Sequence, residues 1–525
     1  MSTHPSLKRA LSAPEAWLVL AALVQVGISI WWIATDSHTP DAESARQIGF
    51  AFAYTDKISA GDLLASFHGT HSAVQDLYPP IHGTLAAVWA LVFGKSISGA
   101  LVVQLLVYFP LIVVGSYGAG RALYGRTGGV LVAVFVLAVP VLGPIFHIYL
   151  VDTATLAFAA PAVWLLLASR RFERRWWALA AGVVVGLGML TKTNFAFVWP
   201  GLVAVMLIRG GWRQWRHVLL FAAALAVVAL PWYLSHTGDL RSQLEFYGAS
   251  SVSTYTPDLG SLKQYSLRHL SYYPRALMEV DVYLPLLLLF AAGTLYSIGR
   301  FVLRRARDDY TPELLGGLLV FWFGLLNVDQ ADWRFALAGL IYVALLSVGW
   351  LVALPRPALI AGASVLGVLF LVNTVTTNFG LGKKVSVAVH GVSATVVSGQ
   401  GIVVNKPHGI SRLQDGLLGL QKQGFKRYYV FGPSESPPDF ELAGVGTMAN
   451  IAGMTFIDQP RLPAGTVAIL SRGVRPGDPP PCSWLTDRKL GSGGIYFVRG
   501  PVTTKQLQDV TFGAPLSSVH VVCPR

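Results

Sequence analysis

Charge is scarce in this chain of 525 residues: Asp, Glu, Lys and Arg make up 13% of it, against roughly a quarter in an ordinary soluble domain. Cysteine is scarcer still, with two residues, Cys482 and Cys523. Two cysteines exclude a disulfide-built scaffold, and their spacing matches no zinc-ligand pattern. Neither a Walker A motif nor a dinucleotide glycine motif is present, so nothing points to a nucleotide site. Internal repeats and low-complexity segments are absent too. What the chain has in excess is apolar surface: 53% hydrophobic residues and a mean hydropathy of +0.54. A soluble chain of this length would divide into several domains, and this one has too few polar residues to cover them. The 15 Trp and 19 Tyr suit bilayer interfaces, where amphipathic rings are favoured. Composition therefore indicates a polytopic α-helical membrane protein.

Ala16 to Ala34 is the first spanning candidate, uncharged and preceded by Lys8 and Arg9. It is too long for a signal-peptide core and no small-residue cleavage site follows it. Further apolar segments begin at Ile81, Leu101, Gly128, Ala154, Trp176, Phe195, Val218, Val282, Leu314, Phe335 and Ala358. Several are shorter than the roughly 20 residues of a straight span, and short or broken membrane helices usually line a cavity. About eleven transmembrane segments are expected, provided that one of the two apolar runs between Pro80 and Arg121 fails to cross.

Basic clusters orient the chain. Residues 170–175, 209–216 and 300–307 carry most of the +13 net charge in short connections, which read as cytoplasmic by the positive-inside rule. That distribution leaves no basic soluble face for nucleic acid. The alternate connections then lie outside, including two long outer loops, residues 35–80 and 235–281. After about residue 379 the texture changes to Gly- and Pro-rich sequence with short β-branched or aromatic runs. These are Tyr428–Phe431, Val467–Leu470, Ile495–Val498 and Val519–Val522, with a helical stretch over Gly409–Gln423. The expected organisation is a membrane domain over 1–379 and an extracytoplasmic soluble α/β domain over 380–525. Both cysteines fall in the latter, and Cys482–Cys523 is a disulfide candidate in an oxidising exterior.

Ionisable residues at the edges of apolar segments are candidates for function, because charge is costly there. The first outer loop opens with Asp36, Asp41 and Glu43; Pro40 suits a helix start, with Asp41 and Glu43 in its positive first turn. Tyr78-Pro79-Pro80-Ile81-His82 closes that loop, and His82 is either a functional polar group or an interfacial anchor. Asp152 heads an apolar helix on the same outer side, where it could equally serve as a cap. Lys192 and Arg334 sit at outer tips, against the positive-inside trend, so each requires an anionic partner, a carboxylate or a phosphate. His38, His68 and His71 share the first loop with carboxylates, but their spacing matches no recurrent metal-ligand pattern.

The order of these elements resembles the GT-C superfamily of polytopic glycosyltransferases. The similarity is greatest to the branch holding protein O-mannosyltransferases and lipid A aminoarabinose transferases. The matching residues are Pro40-Asp41, Tyr78-Pro79-Pro80-Ile81, Val92-Phe93-Gly94-Lys95-Ser96, Asp152, Gly186–Lys192, Pro231-Trp232-Tyr233 and Trp333-Arg334-Phe335-Ala336-Leu337. The chain departs from the family pattern where Ala42 separates Asp41 from Glu43, and where Phe335 follows Arg334 in place of Tyr.

The resemblance implies a GT-C-like fold and a sugar donor linked to a polyprenyl phosphate, with a glycan, lipid or protein acceptor. It implies Asp41 as catalytic base, with Asp36 as second choice, and Asp152 as its assistant or as orienter of the acceptor. Asp36, Glu43, Tyr78, His82, Lys192 and Arg334 are the implied substrate-binding residues. No cofactor is required by this chemistry; a divalent metal is not expected. The expected location is the cell membrane, multi-pass, among membrane lipids. A transporter or flippase for a lipid-linked or anionic solute is the alternative, since it too would use broken helices and intramembrane cations. Two long outer loops and the lack of pseudo-repeats favour the transferase.

Overall fold

The computed structural model describes residues 14–35, 42–68, 78–238, 251–254, 261–304, 309–328, 330–389, 392–399, 410–431, 449, 451, 454–456, 459–473, 493–512 and 514–522. The expected sites at Asp36 and Asp41, the loop residues His38 and His71, and both cysteines lie outside them. Among the described residues, seven helices are long and apolar enough to cross a membrane, and four shorter apolar helices accompany them.

Helix α1 (Pro14–Thr35) leads to α2 (Ala42–Ser59), whose mixed composition keeps it out of the spanning set. Helix α3 (Ile81–Phe93) is short, and α4 (Ile97–Leu137) is interrupted at Gly125, where φ is 74°. A left-handed residue without a Cβ reverses the chain there, so α4 is a hairpin of two arms. The central helix α5 (Val151–Ala168) is followed by α6 (Arg175–Met189), α7 (Pro200–Ile208) and α8 (Trp215–Ser235). After the second loop come α9 (Tyr283–Arg304), α10 (Thr311–Leu325), α11 (Leu340–Val352) and α12 (Arg356–Phe379).

Burial separates the centre of the bundle from its rim. The windows over α5 and over α11 with its preceding turn are 89% buried, whereas those over α8 and α12 are 22% buried. A helix apolar on all sides must lie inside the protein or face lipid, and the two classes divide along that line.

The ends of the bundle are chemically distinct. At one end, Arg171 and Arg209 both donate to the fully buried Glu313, at 2.6 and 2.8 Å, and Arg300 donates to Asp309 at 3.0 Å. The three basic clusters thus gather on one side, as the charge pattern required. Glu15, at the start of α1, pairs with Arg126 at 2.7 Å, which places the α4 hairpin turn at the end where α1 begins. The first arm of α4 therefore runs back from the opposite end. The short helix α3 instead packs beside α2, with Tyr54 against Gly83 and Lys95 paired to Asp56 at 2.6 Å. It is the apolar run that does not cross.

The C-terminal part is a small mixed α/β region. A hairpin of β4 (Val385–Val389) and β5 (Val392–Val397) precedes helix α13 (Ile410–Lys422). A four-stranded sheet follows, made from β6 (Arg427–Phe431), β7 (Thr455–Phe456), β9 (Thr466–Gly473) and β10 (Gly493–Arg499) in the order β10-β9-β6-β7. Strand β6 runs parallel to both neighbours, and β9 pairs antiparallel with β10. Between β7 and β9, β8 (Arg461–Leu462) pairs with β11 (Val502–Thr503) beside α14 (Thr504–Phe512). The run Val519–Val522 is not a strand of this sheet: Val521 makes one isolated bridge to Val498. This region touches the helical body, where the Thr395 hydroxyl donates to the Glu279 carbonyl at 2.9 Å.

Candidate active site at the end of the bundle opposite the basic clusters

Asp152 owes its position to its surroundings and not to a cap. The N-cap of α5 is Leu150. The preceding segment is held by Gln104 of α4, whose amide donates to the carbonyls of Ile145 and Ile148 at 3.0 and 2.9 Å. Its side-chain oxygen accepts from the Leu150 N–H at 3.3 Å. Asp152 then sits in the first turn of α5, where the helix dipole favours negative charge. It is 3% exposed.

Lys192 is brought to it by a tight reversal. α6 ends at Met189, and the Thr191 hydroxyl donates to the Gly188 carbonyl at 2.6 Å. Phe195 packs so closely on Gly188 that a Cβ there would stand 2.1 Å from its ring, so only glycine admits this turn. Lys192 Nζ donates to Asp152 Oδ1 at 2.7 Å and lies 4.0 Å from the centroid of the Phe335 ring. A desolvated cation over an aromatic face gains about 2 kcal/mol. The pair itself is charge-assisted and buried, so loss of one partner strands a charge.

The first loop docks onto the same corner. Ile81 N–H donates to the Leu190 carbonyl at 3.0 Å, which ties the double-proline segment to the Lys192 turn. In the first turn of α2, Arg46 donates to both Glu43 oxygens at 2.8 and 2.6 Å, and to the Tyr78 hydroxyl at 3.1 Å. Gln47 bridges two elements: its amide donates to Glu43 at 2.6 Å, and its oxygen accepts from the Val151 N–H at 2.7 Å. Burial alone would raise the Glu43 carboxyl. The adjacent Arg46 charge, hydrogen bonds from Arg46 and Gln47, and the more distant Arg334 charge hold it below the usual carboxylate range. Burial and the Glu43 charge push the Tyr78 phenol up, with a further contribution from Asp152.

Arg334 completes the group. Asp332 caps the short 3-10 helix Trp333–Gly339, accepting from the Arg334 backbone N–H at 3.0 Å and from its Nε at 2.9 Å. The second long loop clamps this segment: β1 (Ser251–Thr254) pairs with β2 (Ser261–Lys263) and, in parallel, with β3 (Gln330–Ala331).

Glu43, Tyr78, Asp152, Lys192 and Arg334 thus belong to one constellation. His82 lies behind it, 3% exposed. Its Nδ1 is 3.0 Å from the Tyr108 hydroxyl and its ring stacks on Tyr149 at 4.0 Å. With Gln47, Tyr54, Tyr78 and Val151 it lines a small pocket. Arg46 and Gln47 were not singled out by sequence reasoning; their i+3 and i+4 spacing from Glu43 on one helix face was the available signal. Among the described residues, no group of three or more His, Cys, Asp or Glu side chains could hold a metal ion.

Residues 78–234 match the family described as dolichyl-phosphate-mannose-protein mannosyltransferase. The structure is similar to ArnT from Cupriavidus metallidurans bound to undecaprenyl phosphate, with a TM-score of 0.55 and 14% identity over 87% of this chain and 93% of that one. It is similar to the apo form of the same protein, with a TM-score of 0.50 and 15% identity over the same shares. In sequence it is 25% identical over 180 residues to "Putative mannosyltransferase YkcB" of Bacillus subtilis (strain 168), a match covering 34% of this chain. The chain spans 25% of the length of that relative. The GT-C resemblance read from the sequence is borne out, and the chain is a multi-pass membrane protein with an ArnT-like fold.

Proposed function

We propose that this protein is an inverting glycosyltransferase, which moves a sugar from a polyprenyl-phosphate-linked donor to a glycan, lipid or protein acceptor at the extracytoplasmic membrane surface. The observation that carries it is the buried Asp152–Lys192 pair, set beside Arg334 and Glu43 at the end of the bundle opposite the basic clusters. The family match spans Tyr78, Asp152 and Lys192, and the similar ArnT structure contains undecaprenyl phosphate.

In the proposed reaction, Lys192 and Arg334 bind the donor phosphate. Arg supplies a planar fork and Lys a point charge. Asp41 removes the proton from the acceptor hydroxyl as its oxygen attacks the anomeric carbon. The bond from that carbon to the phosphate oxygen breaks, its electron pair leaves with the polyprenyl phosphate, and the two cations stabilise the growing charge. One displacement inverts the anomeric centre and needs no covalent glycosyl-enzyme. Asp152 orients Lys192 and the acceptor, and Glu43, Arg46 and Tyr78 brace the first loop over the donor. His82 backs the pocket beneath Tyr78.

The donor carries its own activation energy, so no cofactor or metal is required, and activity is expected to survive chelation. The region over 380–525 is an extracytoplasmic domain that covers the site or receives the acceptor. Purified full-length protein given a radiolabelled polyprenyl-phosphate sugar and membrane-derived acceptors tests the proposal. Label transfer by the wild type and its loss in Asp41→Asn support it; equal transfer by Asp41→Asn removes the base assignment.

A further inference from the structure

The segment leading into α9 contains a carboxyl group that the mechanism above does not use. Asp281 ends a π-helical turn, Leu277–Asp281, and is 0% exposed. Neither of its carboxyl oxygens has a hydrogen-bond partner among the described residues. A buried carboxylate without donors is costly by several kcal/mol, and such a group takes up a proton instead.

Its neighbours carry charge of their own. The π-helical turn packs against the Trp333–Gly339 helix, which carries Arg334 and is capped by Asp332. Asp332 is the charged group that Asp281 faces. The Tyr283 phenol stands near it on α9, and Glu279 lies on the same turn with its carbonyl tied to Thr395 of β5. Tyr283 itself has φ of 61°, a left-handed conformation uncommon for an aromatic residue. The two packed turns therefore each carry a buried acidic side chain, and one of these, Asp332, already engages Arg334. Two such carboxyls do not both ionise readily.

We propose that Asp281 is a positioning residue, which holds a proton against Asp332 and thereby keeps Arg334 electrostatically available to an anionic ligand. Burial and the Asp332 charge both push the Asp281 carboxyl well above the usual range, in keeping with this role. As pH rises the proton leaves, a second negative charge appears behind Asp332, and the attraction that Arg334 offers to an anion is reduced. Asp281 touches neither donor nor acceptor; it acts through Asp332 and Arg334. Identification of the anion as a polyprenyl phosphate rests on the function proposed above.

The test uses full-length protein in detergent with undecaprenyl phosphate as the probe. Wild-type affinity is expected to fall about tenfold on the alkaline side beyond the ligand's own titration. Asp281→Asn, which cannot ionise, is expected to lack that fall while staying close to wild type at neutral pH. The same alkaline fall in Asp281→Asn overturns the inference. A second readout is independent of the ligand: infrared difference spectra between the two proteins should contain the C=O stretch of one protonated carboxyl at neutral pH. Absence of that band also overturns it. If the wild type binds no polyprenyl phosphate at any pH, the proposed donor is wrong, and the infrared result still decides whether Asp281 carries the proton.

Discussion

Lys192 donates to Asp152 across 2.7 Å with both side chains almost fully buried, 10% and 4% exposed. The two residues come from different helix ends, and neither end owes its shape to the pair. Gln104 sets the head of α5, and the fit of Phe195 against Gly188 sets the turn after α6. The pair is thus preorganised, so that in the proposed reaction the donor phosphate would meet a cation already in place.

Asp152 and Lys192 should behave as one unit. Asp152→Ala and Lys192→Ala are each expected to lower sugar transfer about 10²- to 10³-fold, and the double variant should be no worse than either single one. A transfer assay on all four proteins gives the cycle. Multiplying losses in the double variant would mean that the two side chains act independently.

Arg334→Lys keeps the charge but loses the fork. It should raise KM for the donor about tenfold or more with a smaller change in kcat, since an Arg at a bidentate site is not replaced by Lys. Steady-state kinetics with donor varied at saturating acceptor measures the split.

Glu43 gives a pH signature. Its folded-state value is lowered, so its contribution to stability is present above the unfolded value of about 4.3. That contribution is lost as pH falls through the lowered value. The melting temperature of wild type should exceed that of Glu43→Gln at neutral pH, and the gap should close as the medium is acidified below about pH 4.

Glu313, at the basic end, is the structural control. It is fully buried between Arg171 and Arg209, and its truncation leaves both cations short of a partner. Glu313→Ala should cost about 3–5 kcal/mol in stability. Protein that remains folded should keep the wild-type KM for donor. A changed KM would place this end of the bundle in donor binding.

Much of this was legible in the chain because membrane constraints are severe. The positive-inside pattern read at residues 170–175, 209–216 and 300–307 matches the cluster around Glu313, and Lys192 was expected to have an anionic partner, which is Asp152. The residues that defied the charge pattern were those of the site. Arg46 and Gln47 escaped notice because an amphipathic helix over Ala42–Ser59 makes polar residues look solvated. Asp332 and Asp281 meet only through the packing of two turns far apart in sequence. The two arms of the α4 hairpin were legible as the separate apolar runs that begin at Leu101 and Gly128, with Gly125 between them, and the Glu15–Arg126 pair shows at which end of the bundle the chain turns. The approach of Tyr54 to Gly83 and the Lys95–Asp56 pair place Ile81–Phe93 beside α2.

The central claim is transfer of a sugar from a lipid phosphate, and the anomeric configuration of the product tests it most directly. Purified full-length protein is given a polyprenyl-phosphate sugar of known anomeric configuration, and the product linkage is determined by NMR. The wild type is expected to give a glycosidic product of opposite configuration, and Lys192→Ala about 10²- to 10³-fold less of it. A product of retained configuration would contradict the single displacement. Movement of the intact lipid-linked sugar across liposomes without any product would contradict transfer itself and assign the site to transport.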